Sequence, residues 1–397
     1  MFFRRALILV VALLPGVLAP RVSAAPRALA RRDLARDTLA WVGERGITAL
    51  DLVERIELMP WQEKASPAAA ESTQVHALQS LVGEKLLAAE AEREGLGRTG
   101  AIARMRRSLL KALARDALYR EVTAGAPAPS SGEVERIVAR RHPRPAELPA
   151  LRRAVADSLR QSSRGQRAAG YLKRLLAGQR AVVDSAAFME LADSLRRIMR
   201  AARAQRGGGS VDISPDAPDM LLARLAPDLE RPLARLPGAP YTIGEALEDL
   251  RFYPFGFHSL ERRRFALEMN AHLRLMVENE LVARAALRRH FDQRPEVRHD
   301  LEMWSDMWSA QLALERVVAP YHAPAERREA AARYVAGLAQ HGRVEFNYVA
   351  ARSVSIAPVS MLTRRYLGFG GGMLAAPALT PLWDWVPQWR AARRPLP

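Results

Sequence analysis

The residue types that carry most enzyme chemistry are few and scattered in this chain. Its eight histidines form no His-x-x-x-His pair, and His290 and His299 lie nine positions apart. No cysteine occurs in 397 residues, which excludes disulfides, thiolate zinc sites and a lipid anchor through Cys. The pattern therefore gives no metal site and calls for no cofactor. Carboxylates recur a turn apart, as in Glu54 with Glu57 and Glu90 with Glu94, on helices rich in arginine. There they read as ion-pair partners on a solvated face, since general acid–base work needs burial in a cleft. Gly368-Phe369-Gly370-Gly371-Gly372 lacks the spacing and the strand-to-helix setting of a dinucleotide fingerprint, and reads as a flexible loop. No Gly-x-Ser-x-Gly elbow occurs, and no Ser-x-x-Lys run suggests a serine hydrolase.

What the sequence offers in place of a reactive constellation is a scaffold, and the scaffold is repeated. Ile47-Thr48-Ala49-Leu50-Asp51-Leu52 leads into the helical run from Leu81 to Leu96; about 195 positions later Tyr241-Thr242-Ile243-Gly244-Glu245-Ala246 leads into Met276 to Leu287. Thr48 with Asp51 three residues on makes a capping arrangement with a carboxylate in the positive first turn. Helix is expected from Leu50 to Pro60, and from Ala77 to Glu94 with Leu78, Leu81, Val82, Leu86 and Ala89 on one stripe and Glu84, Lys85 and Glu92 outside it. A third helix follows over 101–122, stepping through Ile102, Met105, Leu109 and Leu113. After a Pro/Ser linker near 124–131, an Arg-rich helix over 146–179 is expected to break near Gly165 and Gly170. A short strand at 180–184 and a helix over 184–203 complete the first copy.

The Gly/Ser/Pro-rich stretch after Arg206 is the clearest boundary. In the second copy Val297, Leu301, Trp304, Trp308 and Leu312 make the stripe of the long helix. A helix over 325–340 then runs into an alternating strand at 343–349. The expected organisation is a signal at 1–24, a first module at 41–205, a linker at 206–232, a second module at 233–350, and an irregular Gly/Pro/Trp-rich tail at 351–397. The fold class is mostly α, two related helical modules with short β-strands at their beginnings and ends.

Residues 2–24 read as a cleavable secretory signal, with Arg4 and Arg5 before an apolar stretch and Val22-Ser23-Ala24 as the cleavage site. That stretch is interrupted by Pro15 and is shorter than the roughly 18–20 residues of a spanning helix. A periplasmic location follows. The formal charge is +17, and 56 of the 60 basic residues are arginine. High-GC coding explains the bias without function; a basic surface also favours acidic partners such as an anionic membrane surface or acidic polypeptide. Nucleic acid is not expected, because the chain is exported and has no recognition-helix motif or aromatic-interleaved basic strand.

The Ile47-Thr48…Asp51-Leu52 start, the Leu81-Val82…Glu84-Lys85-Leu86-Leu87…Glu90-Ala91…Gly95-Leu96 helix and the Pro129-Ser130-Ser131-Gly132-Glu133-Val134 linker resemble the N-terminal helical domain of SurA-type periplasmic chaperones, companions of the parvulin prolyl isomerases. The resemblance covers about 41–141 and, more weakly, 235–350. It implies the chaperone part of that family used twice. No parvulin domain is placed: His142 stands where one would begin, but Leu151 to Leu176 reads as Arg-rich helix.

Two aromatic loops follow the first helix of each copy: Met59-Pro60-Trp61, and Phe252-Tyr253-Pro254-Phe255-Gly256-Phe257. They either close over the core or line an apolar cradle, with Met59, Trp61, Phe252, Tyr253, Phe255 and Phe257 as client-binding candidates. Trp383, Trp385 and Trp389 pose the same choice between docking on the body and lying at a membrane surface. The expected function is an ATP-independent chaperone for unfolded envelope or outer-membrane proteins and not an enzyme. The alternatives are a diverged prolyl isomerase, or an envelope subunit docking through its Trp-rich tail.

Overall fold

The computed structural model describes residues 31–57, 67–98, 100–141, 144–206, 211–212, 217–250, 256–355, 364–370, 373–375 and 377–393. The signal segment, Met59, Trp61, His142, Phe252, Tyr253 and Phe255 lie outside them. The protein is mostly α-helical, as its periodicity predicts. The first half comprises α1 (Arg31–Leu34), β1 (Thr38–Val42), β2 (Arg45–Thr48), α2 (Ala49–Glu57), α3 (Pro67–Arg93), α4 (Gly100–Ala124), α5 (Ser131–Ala139), α6 (Leu148–Leu176), β3 (Val182–Val183) and α7 (Ser185–Arg206). β4 (Val211–Asp212) and α8 (Ala217–Arg224) lead to the second: β5 (Pro232–Arg235), β6 (Pro240–Thr242), α9 (Ile243–Asp249), β7 (Gly256–Phe257), α10 (Arg262–Arg288), α11 (Pro295–Val318), α12 (Pro324–Gln340), β8 (Val344–Phe346) and α13 (Tyr348–Ser353). The chain closes with β9 (Arg364–Tyr366), β10 (Met373–Ala375) and α14 (Trp385–Ala392).

Both copies begin with a hairpin whose second strand runs straight into a capped helix. Asp51 Oδ2 accepts from the Thr48 amide at 2.7 Å, and Glu245 Oε2 from the Thr242 amide at 3.1 Å; each threonine hydroxyl accepts in return from the acid's own amide. This reciprocal box satisfies amides that have no partner inside the helix.

The halves do not close on themselves. β8, from the end of the second copy, pairs antiparallel with β1, setting Ala40 opposite Phe346. β3, from the end of the first, pairs with β5, setting Ala234 opposite Val183. The exchange is reciprocal down to single bonds. Asn347 N–H donates to Leu39 O at 2.8 Å and Asp184 N–H to Leu233 O at 3.0 Å. The same two side chains then cap the next helices, Asn347 accepting from Ala350 N at 3.0 Å and Asp184 from Ala187 N at 2.9 Å. The long helices follow suit: α3 packs on α11, α10 packs on α4, and α4 crosses α11 at the centre. The segments 41–205 and 233–350 are therefore interleaved in space, in the manner of a two-fold dimer joined into one chain.

Three main cores result. One joins β1, α2 and α3 to α12, β8 and α14; one joins α7 and α8 to α9 and α10; the central one lies between α4 and α11. A small satellite of Val134, Val138 and Val155 holds α5 to α6.

The structure revises several sequence expectations. α6 runs unbroken through Gly165 and Gly170. Glycine costs a helix only about 1 kcal/mol relative to alanine, which a 29-residue helix packed on α4 and α5 absorbs. α3 is not an amphipathic surface helix, because neighbours cover it on several sides and Glu84 is only 7% exposed. The tail is not irregular throughout. Trp385 is fully buried, its indole N–H donating to Gln79 O at 3.2 Å, and Trp389 donates to Ala339 O at 3.1 Å. Burying an indole removes roughly 200 Å² from water, worth on the order of 5 kcal/mol before entropy is subtracted. Gly83 makes that docking possible, since a Cβ there would stand 3.1 Å from Leu382 and 3.2 Å from Trp385. The glycine loop is also a packed element. A Cβ at Gly368 would overlap the Tyr119 ring, and the adjacent Phe369, at φ 58°, inserts edge-on to Tyr119 with ring centres 5.3 Å apart. No described helix is long and apolar enough to cross a membrane.

Candidate functional site

α7 repeats its apolar residues so that Ala187, Leu191, Leu195 and Met199 face the second core, which leaves Phe188 and Met189 on its shoulder. α10 buries Phe265 and Met269 and turns the residue between them, Leu267, outward, 64% exposed. Where the first turns of these helices meet, an open groove of about 600 Å³ forms, with Phe188, Met189, Ala266 and Leu267 as floor and Glu261, Arg262, Arg263 and Asn270 at the rim. Glu261 caps α10, accepting from Arg263 N at 3.0 Å and Arg264 N at 2.8 Å, and these amides hold its carboxyl below the usual range. Arg262 is steered across to α7 by Asp193, at 2.7 Å. Beyond Glu261 a second groove of about 510 Å³ is lined by Arg200, Arg203, His258 and Ser259. The first groove is apolar and the second, polar one adds arginines beside it, so together they offer contact area and positive charge.

Among the aromatic residues expected to bind clients, Phe257 is described, and it faces inward. It is 2% exposed, stacks on Phe265 with ring centres 4.3 Å apart and meets His272 edge-on at 5.1 Å. Its strand pairing with Val211 fixes it there, so it supports the floor of the groove from below. Phe188, Met189 and Leu267 carried no signal in sequence, because they stand one or two positions off apolar stripes that are otherwise buried.

The reactive groups gather elsewhere, inside the helix interfaces. Ser108-Leu109-Leu110-Lys111 does have Ser-x-x-Lys spacing, and α4 brings both side chains to a void of about 10 Å³, roughly one water in size, together with Arg115, Asp249, Asn279 and Glu280. Ser108 donates to Asp249, and Lys111 Nζ lies 2.7 Å from Glu245 and 3.0 Å from Glu280. Tyr241 also donates to Asp249, at 2.7 Å. Complete burial pushes Asp249 up to about 6, against the pull of Lys111. With no room for an acyl group, this network is a packed polar joint.

The corresponding joint of the other half holds Lys85 against Asp306 at 2.5 Å and Glu302 at 3.6 Å. Burial alone would lower the ammonium, but those carboxylates outweigh it and hold the pKa above its ordinary value. Alongside, Arg55 grips Glu84 with two bonds of 2.6 Å and donates to Ala378 O at 3.2 Å, tying the tail to α2. His299 bonds Glu54 at 2.9 Å with Asp51 at 3.8 Å, and those carboxylates raise its pKa. Glu54, His299 and Asp300 stand close enough to share a cation, a grouping their sequence separation concealed. Its counterpart in the other half is the contact of Arg104 with Glu248 at 3.2 Å, a plain ion pair. Between residues 144 and 206, where a half-sheet with a buried histidine would mark an isomerase centre, the described residues form α6, β3 and α7 and include no histidine.

No protein-family model, curated protein or solved structure matches this chain.

Proposed function

We propose that this protein is an exported, ATP-independent holding chaperone of the SurA type, which binds unfolded envelope or outer-membrane polypeptides through the groove between α7 and α10. The observation that carries the reading is the groove itself: an apolar floor with Leu267 standing 64% exposed, bordered by Arg262, Arg263, Arg200 and Arg203. Exposed apolar surface of this kind marks an interaction site, and methionine and leucine adapt to varied side chains. The arginine border and the net charge of +17 favour acidic clients and speed encounter. Ordering a disordered chain costs about 2–5 kcal/mol, which keeps such binding weak and reversible without nucleotide. The signal-like segment at 2–24 and the resemblance to the SurA-type helical domain are what support the periplasm as the site of this activity.

The mature chain should delay aggregation of a urea-unfolded outer-membrane protein at stoichiometric amounts, followed by light scattering. Replacing Met189 and Leu267 together by Asp should abolish the delay while leaving the far-UV circular dichroism unchanged. Full protection by the double variant would remove the groove from the argument; no protection by the parent chain would remove the chaperone.

A further inference from the structure

The joints between the halves carry a pattern that client binding does not require. Lys85 on α3 meets Asp306 on α11, and 195 positions on, Glu280 on α10 meets Lys111 on α4. Positions 85 and 280 occupy matching places, as do 111 and 306, yet the charges are interchanged. The outer rim repeats this: Glu94 pairs with Arg316 at 2.7 Å, and at the matching places Arg289 pairs with Glu121. A two-fold arrangement of identical modules could not be built this way.

We propose that the surface joining the two halves is a charge-coded recognition surface, which accepts the opposite half and rejects a second copy of the same half. Two first halves brought together in this geometry would set Lys85 against Lys111 and Glu94 against Glu121. Two second halves would set Glu280 against Asp306 and Arg289 against Arg316. Every one of these contacts is between like charges. The inner ones act where water is largely excluded, since the side chains of Lys85, Asp306, Lys111 and Glu280 are 12%, 5%, 17% and 2% exposed. A buried charge facing its own kind has lost its hydration and gained repulsion, so the penalty is far larger than on a surface. Neighbouring charges modulate these positions without replacing them: Glu302 also faces Lys85 at 3.6 Å, Arg45 faces Asp306 at 3.5 Å, and Arg284 holds Glu280 at 2.6 Å. Asp51 and Glu245 stand at matching places and carry the same sign, and the His299–Glu54 and Arg104–Glu248 contacts both set base against acid in the same order, so both would survive pairing of like halves. The partner this surface fits is thus the other half of the same chain, and the repulsive set is what prevents exchange between chains with identical backbone pairing.

The full chain carrying a protease site in place of residues 207–210 tests this. Cut after folding, unfolded in urea and refolded, it yields complexes whose composition native mass spectrometry reads directly. Mixed pairs should exceed same-half pairs by roughly tenfold or more, the effect of one pKa-sized interaction difference per joint. A second protein with Lys85→Glu, Asp306→Lys, Glu94→Arg and Arg316→Glu keeps all four mixed pairs between opposite charges, 85–306 and 94–316 with their signs reversed and 111–280 and 121–289 as they were, while turning the four same-half pairs attractive. Same-half pairs should then rise several-fold. Random pairing in the parent, or an equal same-half fraction in both proteins, overturns the proposal. Should the cut halves fail to refold, the uncut chain decides: Lys85→Glu should lower the thermal midpoint and Asp306→Lys added to it should restore it, and absence of restoration equally overturns the coding.

Discussion

Single buried ionisable groups set the pH response of this molecule, and Asp249 is the clearest. Its carboxyl is fully buried between Ser108 and Lys111 from α4, Tyr241 from β6 and Glu280 from α10, and stands at about 6, above its unfolded value of 3.8. The folded state then binds the proton more tightly than the unfolded state. Stability is greatest below pH 4 as far as this group is concerned and falls as pH rises through about 6, by about 3 kcal/mol in all. Asp249→Asn keeps an acceptor for one of the two hydroxyls, lets its amide donate to the other, and has no proton to lose, so it should flatten that slope. Urea unfolding at pH 4.5 and 7.5 checks it: the parent loses stability between the two, and the variant loses about 2 kcal/mol less, the part of the change that lies above pH 4.5. An unchanged slope would mean that Asp249 does not set the response.

At the scale of elements, the helices were legible from apolar period and caps, because those signals are local: Thr48 with Asp51 and Thr242 with Glu245 mark true helix starts. The buried charges were not. Glu84 and Lys85 look like the polar face of an amphipathic helix until α2 and α11 are known to cover them with Arg55 and Asp306. Comparing the two copies position by position could have shown the reversals of sign between 85 and 280, 111 and 306, 94 and 289, and 121 and 316, the hint of an inter-half joint that the sequence carried. Which of the two choices the tail takes was not legible for the same reason, since its order comes from distant partners. Gly83 decides where it docks; the matching position on α10 is Glu278, and the tail lies on α3. Gly83→Glu should therefore expel Trp385, shift tryptophan emission to the red and cost about 3–5 kcal/mol, the scale of losing a large buried side chain. In a chain already lacking residues 377–397 the same substitution should cost little, because the two changes act on one contact. Equal costs in both backgrounds would show that Gly83 serves the helix and not the tail.

The whole molecule is held together by reciprocity, and this changes what a truncation means. In a protein of two contiguous domains, removing the end of the second leaves the first intact. Here the core around α2 and α3 includes Val335, Ala336 and Ala339 of α12, Val344 of β8 and Trp385 of the tail, and β1 has β8 as its outer neighbour. Ending the chain at Gln340 deletes none of the first half, yet it strips that half's sheet of its third strand and exposes Leu39, Ile47 and Leu87, each now under 2% exposed. The second core loses nothing, since β5 pairs with β3 from the first half and α7 packs on α10. Hydrogen exchange on the truncated protein should accordingly show lost protection in β1, α2 and α3, at the far end of the chain from the cut, with α9 and α10 nearly unchanged. Loss confined to α10, α11 and α12 would mean that each half stands on its own. The same reciprocity fixes the groove proposed for clients: its two walls come from opposite halves, α7 from the first and α10 from the second, so a change that loosens the joints should weaken holding as well as stability.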